Sequence, residues 1–162
     1  MEYLGIYNDE GKVTSKKVVR GSNYDLKENE HIAVSIIFIE NDKGEFLIQK
    51  SSKEKGGYFS STGGHIDYKE NPFSTIKREV EEELGVTIHD DEIEECGFFN
   101  NGKALIFLYY THKNIDTSNI KLQKEEVEYV QYMTVDEIKK LIANDKMLKS
   151  HALMFERILE KK

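Results

Sequence analysis

Residues 33–39 read Ala-Val-Ser-Ile-Ile-Phe-Ile, apolar at every position but one. A strand with one face in water alternates apolar and polar side chains, whereas a run without a polar face is covered on both sides, so this segment predicts a central strand with helices packed above and below it. Turn signals divide the runs around it. "YLGIYNDEGKVTSKKVV" and "IAVSIIFIENDKGEFLIQK" each set an Asn-Asp-x-Gly turn between strand-like runs, and "ECGFFNNGKALIFLYYTH" turns at Asn101-Gly102, so three hairpins are expected. Three helices are expected as well. The first takes Asn71 as N-cap, places Pro72 where its missing N–H costs nothing, and stops at Gly85. The second opens with the capping box from Thr134 to Glu137, and the third follows Ser150 with Leu153, Met154, Ile158 and Leu159 on one side. Residues 111–127 are polar and read as a long loop. Hairpins mixed with strand–helix alternation indicate an α/β domain whose sheet is mixed rather than wholly parallel.

Length and composition narrow the reading. At 162 residues with 38% apolar side chains, the chain suits one domain with a core that needs no disulfide. No apolar run approaches the roughly 20 residues that span a bilayer, and the N-terminus lacks a basic flank and apolar stretch, so a cytoplasmic protein without a membrane partner is expected. The single cysteine, Cys96, reads as a buried structural thiol rather than a nucleophile. A net charge of −7 argues against binding a nucleic-acid polymer, which needs a basic face. An anionic small molecule would then need local help from a bound cation or a few placed basic side chains.

The first helix poses an electrostatic problem. At about 100° per residue, Glu79, Glu82 and Glu83 share one face while Glu81 points away, and Phe73, Ile76, Val80 and Leu84 form an apolar stripe beside them. Carboxylates at these spacings repel by roughly 0.2–0.5 kcal/mol per pair, and partial burial adds to the cost. Taken alone, the string suits a solvated face balanced by Lys77 and Arg78. A divalent cation among the three carboxylates turns repulsion into attraction, and hard oxygen donors suit Mg²⁺ or Mn²⁺ rather than Zn²⁺. Gly63 and Gly64 upstream leave backbone open to a phosphate or a metal.

From Gly64 to Val86 the chain resembles the Nudix hydrolase box at every fixed position: Gly64, Glu70, Arg78, Glu79, Val80, Glu82, Glu83, Gly85 and Val86. The resemblance implies an α/β/α sandwich with a mixed sheet, here over residues 30–159, carrying an added N-terminal β-hairpin in residues 1–29. It also implies hydrolysis of a nucleoside diphosphate linked to another moiety, or of a related organic diphosphate, by water attack on phosphorus with Mg²⁺ or Mn²⁺ bound. Glu79, Glu82, Glu83 and the Gly63 carbonyl would hold the metal, and Arg78 with Glu70 would orient a metal-binding carboxylate. The general base is left between the box, notably Glu82, and the later pair Glu125 and Glu126. Gly64, His65, Lys50, Tyr58 and Phe59 are candidates for the substrate, with Lys53 and Lys55 as further basic side chains near a phosphate.

Two departures bear on substrate. Thr62 stands where many Nudix proteins have proline, and the N-terminal hairpin leans toward the subgroup resembling isopentenyl-diphosphate isomerase. That isomerase places a catalytic cysteine where this chain has Gly63, and its box is usually degenerate, so hydrolysis is the preferred expectation. Isomerase-like activity and a non-catalytic domain that binds a diphosphate ligand are the alternatives. Whether the hairpin extends the sheet or reaches a second copy in a homodimer is left open.

Overall fold

A computed structural model of the chain describes residues 1–102, 104–122 and 125–161. The first hairpin is formed by β1 (Tyr3–Tyr7) and β2 (Val13–Val19), and the central strand β3 (Ile32–Glu40) turns into β4 (Phe46–Ser51). The Asn41 side chain closes that turn by accepting from the amides of Lys43 and Glu45. Two short strands follow, β5 (Phe59–Ser60) and β6 (Thr62–His65), and then helix α1 (Pro72–Leu84). The third hairpin joins β7 (Glu94–Asn100) to β8 (Ala104–His112), and β9 (Val127–Met133), α2 (Val135–Ala143) and α3 (Lys149–Lys161) complete the order.

β3 is the axis of the molecule. It pairs in parallel with β8 over nine positions, while its other neighbours are antiparallel. Alternate β3 side chains enter different cores, as its apolar run predicts. Ile36 and Phe38 join Phe46, Phe155 and Ile158 under α2 and α3, whereas Ile37 and Ile39 join Ile76, Val80 and Leu84 of α1. The result is a mixed sheet between α1 on one face and α2 with α3 on the other.

One detail of the pairing builds the site. β4 meets β3 only at Phe46 opposite Glu40, then diverges toward β9 and β5. β6 takes the vacated edge, setting Gly63 opposite Ile36 and Gly64 opposite Ser35. The double glycine therefore lies in a strand beside the central strand. A Cβ on Gly63 would come within 2.5 Å of the Ser35 carbonyl, which no side chain tolerates.

The first hairpin forms a two-stranded sheet of its own and does not extend the larger one. Isolated bridges of Leu4 to Asp67 and Tyr7 to His31 dock it against the loop before α1 and the start of β3. Leu4 and Ile6 pack with Ile32 in a small separate core. α3 begins at Lys149, so Ser150 lies inside it rather than ahead of it, a shift of the size that frayed helix ends produce. In the polar stretch of residues 111–127, β8 continues to His112 and a 3-10 turn covers Thr117–Asn119. Gln123 and Lys124 lie outside the described residues.

Candidate active site

The geometry begins at the ends of α1. Asn71 and Ser74 cap each other reciprocally, the Asn71 side chain accepting from the Ser74 amide at 2.8 Å and the Ser74 hydroxyl accepting from the Asn71 amide at 3.1 Å. Gly85 closes the other end in the left-handed region at φ 68°. Buried Ser35 of β3 donates its hydroxyl to the Pro72 carbonyl at 2.8 Å, which ties the helix start to the central strand. The phase of α1 is thereby fixed. Ile76, Val80 and Leu84 go into the core, and the glutamates beside them face β6.

Arg78 organises the first part of the glutamate arc. Its Nε and Nη2 donate to the two Glu70 oxygens at 2.7 and 2.8 Å, a fork-on-fork contact, and Nη1 donates to Glu79 and Glu82 at 3.0 Å each. The hydrogen bonds to Glu70, reinforced by the neighbouring carboxylates, hold the guanidinium even more firmly protonated than usual.

Glu83 has a different environment. Gln49 of β4 donates to its Oε1 at 3.0 Å, while its Oε2 and the Oε1 of Gln49 are buried without a hydrogen-bond partner. Burial, with the Glu79 charge adding to it, pushes the Glu83 carboxyl up to about 8. Burial also raises Glu79, against the pull of Arg78, and the two carboxyls are close enough to share a proton. Gly64 backs this pair: a Cβ there would run into the Glu79 carboxyl group.

Among the described residues, no three His, Cys, Asp or Glu side chains stand close enough together to hold a metal ion as placed. Glu82 follows the expected helical phase in its backbone, but its side chain is turned onto Arg78 and remains largely exposed. The donor set nevertheless suits a hard divalent cation. Glu79 and Glu83 offer carboxylate oxygens, one of them buried and unpartnered, and the Arg78 Nη1 already supplies positive charge between Glu79 and Glu82.

These groups open onto a cleft of about 330 Å³ lined by Gly63, Gly64, His65, Glu79, Glu83 and Glu126, with Arg20, Val34, Ile36, Leu148, Ser150 and His151 completing its walls. A sequence model of the NUDIX domain matches residues 29–156. The chain belongs to the Nudix family. The Nudix hydrolase lmo0368 of Listeria monocytogenes is 30% identical over 145 residues, which span 87% of this chain and 85% of that one. Among solved structures, DR0079 of Deinococcus radiodurans superposes with a TM-score of 0.78 at 18% identity, over 96% of this chain and 98% of the other. A bifunctional NMN adenylyltransferase/ADP ribose pyrophosphatase of Francisella tularensis, solved with AMP and a manganese ion, gives 0.63 at 14% identity, over 81% of this chain and 42% of that chain. At these identities the two structures bear on the fold alone. The family assignment makes this chain a Nudix diphosphate hydrolase, and the sandwich described above is the Nudix fold.

Within the Nudix site, the expected residues separate into two groups. Gly63, Gly64, His65, Glu79, Glu83 and Glu126 meet at the cleft, and Arg78 with Glu70 lines an adjoining hollow. Burial holds the His65 imidazole below its ordinary pKa, with the Arg20 charge adding to the effect. Others stand apart from the cleft. Lys50 pairs with Glu128 at 3.1 Å, Lys53 and Lys55 are exposed on a 3-10 turn, and Tyr58 is exposed. Phe59 packs edge-on to Tyr129 at the border of the α2 and α3 core. Glu125 meets Ser52 through its carbonyl, and its side chain is not part of the cleft wall. Cys96 is only half-buried on β7, against the α2 and α3 core, and burial pushes its thiol up to about 11. Neither Arg20 nor His151, the remaining ionisable residues of the cleft wall, had a sequence signal. Arg20 follows β2, and His151 on α3 is buried, its Nδ1 accepting from the Ser61 hydroxyl at 2.8 Å and amide at 3.2 Å.

Proposed function

We propose that this Nudix enzyme hydrolyses a nucleoside diphosphate linked to another moiety, or a related organic diphosphate, with Mg²⁺ or Mn²⁺ bound at the box. The observation that carries this reading is the Glu79 and Glu83 pair: two adjacent carboxyls held in a partly buried cleft, with one oxygen of Glu83 left without a partner. Burying carboxylates this way is costly unless a cation joins them.

Glu79, Glu82, Glu83 and the Gly63 carbonyl would hold the metal. Once bound, a divalent ion offsets repulsion between substrate and acidic site, stabilises charge on phosphate oxygens and lowers the pKa of water. The rest falls to the chain's own groups. Arg78 aligns Glu79 and opposes the effect of burial on its carboxyl, while Glu70 fixes Arg78 through both oxygens. The absence of side chains at Gly63 and Gly64 lets a diphosphate approach the backbone of β6. Of the two later glutamates only Glu126 lines the cleft, and it is the candidate to take a proton from the attacking water.

Isomerase chemistry has no support from the chain's thiol, since Cys96 sits on the α2 and α3 side of the sheet with a raised pKa. The test is a screen of diphosphate compounds with Mg²⁺ and Mn²⁺, with and without chelator, scoring phosphate-bearing products. Turnover that chelation abolishes supports the reading. Turnover unaffected by chelation, or isomerisation of isopentenyl diphosphate without hydrolysis, sinks it.

A further inference from the structure

The cleft beside the box adjoins a second hollow of about 290 Å³, lined by Glu2, Leu4, Asp67, Glu70 and Arg78, and the two share the side chains of Arg20 and His65. Arg20 comes from outside the region that the family model matches, at the end of the N-terminal hairpin. We infer that Arg20 is a substrate-binding residue, whose guanidinium takes the phosphate lying away from the box glutamates, and that the hairpin is consequently a wall of the active site.

Charge accounting identifies Arg20. A diphosphate entering a cleft lined by Glu79, Glu83 and Glu126 would bring more negative charge than one divalent ion offsets, so a cationic side chain of the chain itself is called for. Among the described residues that line the larger cavity, Arg20 is the sole lysine or arginine. The smaller hollow adds Arg78, but that guanidinium is committed to Glu70, Glu79 and Glu82. Arg20 is held far more loosely: its ion pair with Glu2 is long at 3.4 Å, and both side chains are half or more exposed, an arrangement that contributes little and exchanges readily for a better anion. A planar guanidinium offers a phosphate two parallel donors.

The hairpin is also anchored well enough to deliver that side chain. Leu4 and Ile6 are buried against Ile32, and the Tyr68 amide donates to the Tyr3 carbonyl at 2.9 Å. Near the tip, buried His31 lies 2.6 Å from both the Asp9 carboxylate and the Gly102 carbonyl, bridging the first and third hairpins. Beside Arg20, the Arg20 amide donates to the Glu2 carbonyl at 3.0 Å, and Gly21 turns the chain at φ 84°. Its backbone is thus fixed while its side chain remains adjustable.

This assignment rests on the diphosphate reading of the box, and the experiment separates the two. Arg20→Ala, Arg20→Lys and Glu2→Ala are compared with the unaltered enzyme, using a compound turned over in the screen and, by calorimetry with Mg²⁺ present, the non-hydrolysable probe methylenediphosphonate. Losing a charged hydrogen-bonding partner predicts a KM and a probe Kd about 10- to 100-fold higher in Arg20→Ala, with kcat within about threefold. Lysine should restore part of the loss, and Glu2→Ala should leave KM unchanged or lower it. KM and probe binding within twofold of the unaltered enzyme in Arg20→Ala, or a collapse of kcat alone, would overturn the assignment. If no compound is hydrolysed, the reading of the box fails, and loss of probe binding in Arg20→Ala still supports an anion site at the hairpin. An unaltered enzyme that does not bind the probe overturns it.

Discussion

The two ends of the glutamate arc on α1 meet the same like-charge repulsion in different ways. Toward the N-terminus, Arg78 commits most of its donors: four hydrogen bonds of 2.7–3.0 Å run from one guanidinium to Glu70, Glu79 and Glu82. Toward the C-terminus, Glu83 has only neutral donors, the Gln49 amide and the Gly63 backbone, and its Oε2 is buried without a partner. The first end is compensated within the fold. The second holds its charge down by keeping a proton, which burial makes favourable up to about pH 8. The proposed cation would act at the second end, where the fold itself supplies no compensating charge.

The strongest way to break that contrast is Glu83→Gln. A neutral amide of the same shape removes the charge, and its N–H groups can donate to the unpartnered Oε1 of Gln49. We expect kcat to fall about a hundredfold or more, the scale seen when one group that stabilises transition-state charge is lost. Metal-free stability at pH 8 should rise at the same time. Steady-state kinetics beside thermal melts in chelator tests both halves. A variant that loses activity and stability together would show that Glu83 is a structural residue.

Second in size is Arg78→Lys. An ammonium cannot reproduce the bidentate grip on Glu70 while also reaching Glu79 and Glu82. Activity should fall by roughly 10- to 100-fold, as when a group that orients a metal-binding carboxylate is lost. The signature is a Mg²⁺ requirement displaced to higher concentration, read from kcat/KM against metal concentration. An unchanged metal requirement would mean that Arg78 only steadies the helix.

These two positions also show what the sequence could convey. Regular spacing made the arc, its apolar neighbours and the caps at Asn71 and Gly85 legible, because helical phase and cap chemistry are local. The β3 run and three hairpin turns were legible for the same reason. Strand β6 was hidden, since "TGGH" has no strand propensity and becomes a strand only because β4 leaves the edge of β3. β9 carried strand-like residues in "VEYVQYM" that gained no assignment without a partner. Gln49 reaches Glu83 from β4, and Arg20 and His151 reach the cleft from the end of the first hairpin and from α3, so only the tertiary fold could name them. Charge and volume misled in the other direction: Lys50 and Phe59 look suited to a substrate, but one has Glu128 and the other Tyr129 as neighbour.

A smaller effect concerns pH. The folded value for Glu83 is raised from 4.5 to about 8, so the folded state binds the proton more tightly than the unfolded chain does. Its contribution to stability is fully present below about 4.5, declines as pH rises, and is gone above about 8. In chelator, the melting temperature should therefore fall across that window more steeply for the unaltered enzyme than for Glu83→Gln. Mg²⁺, which has to displace the proton, should raise the melting temperature more at pH 8 than at pH 6. Equal metal effects at both values would place the cation away from Glu83.

The smallest expected effect is at Glu81, and it decides whether placement or mere charge is responsible. Glu81 sits between Glu79 and Glu82 in sequence, carries the same charge, but points outward, where its carboxylate accepts from Thr87 at 3.4 Å. If the acidic helix acted only through its summed field, Glu81→Gln would weaken Mg²⁺ binding nearly as much as Glu83→Gln. If the buried pair facing β6 is what matters, Glu81→Gln should leave kcat and Mg²⁺ affinity within about twofold and stability within about 0.5 kcal/mol, as for an exposed substitution. Calorimetric titration of Mg²⁺ into both variants makes the comparison directly, since each exchanges one carboxyl for an amide on the same helix and only one does so in the cleft.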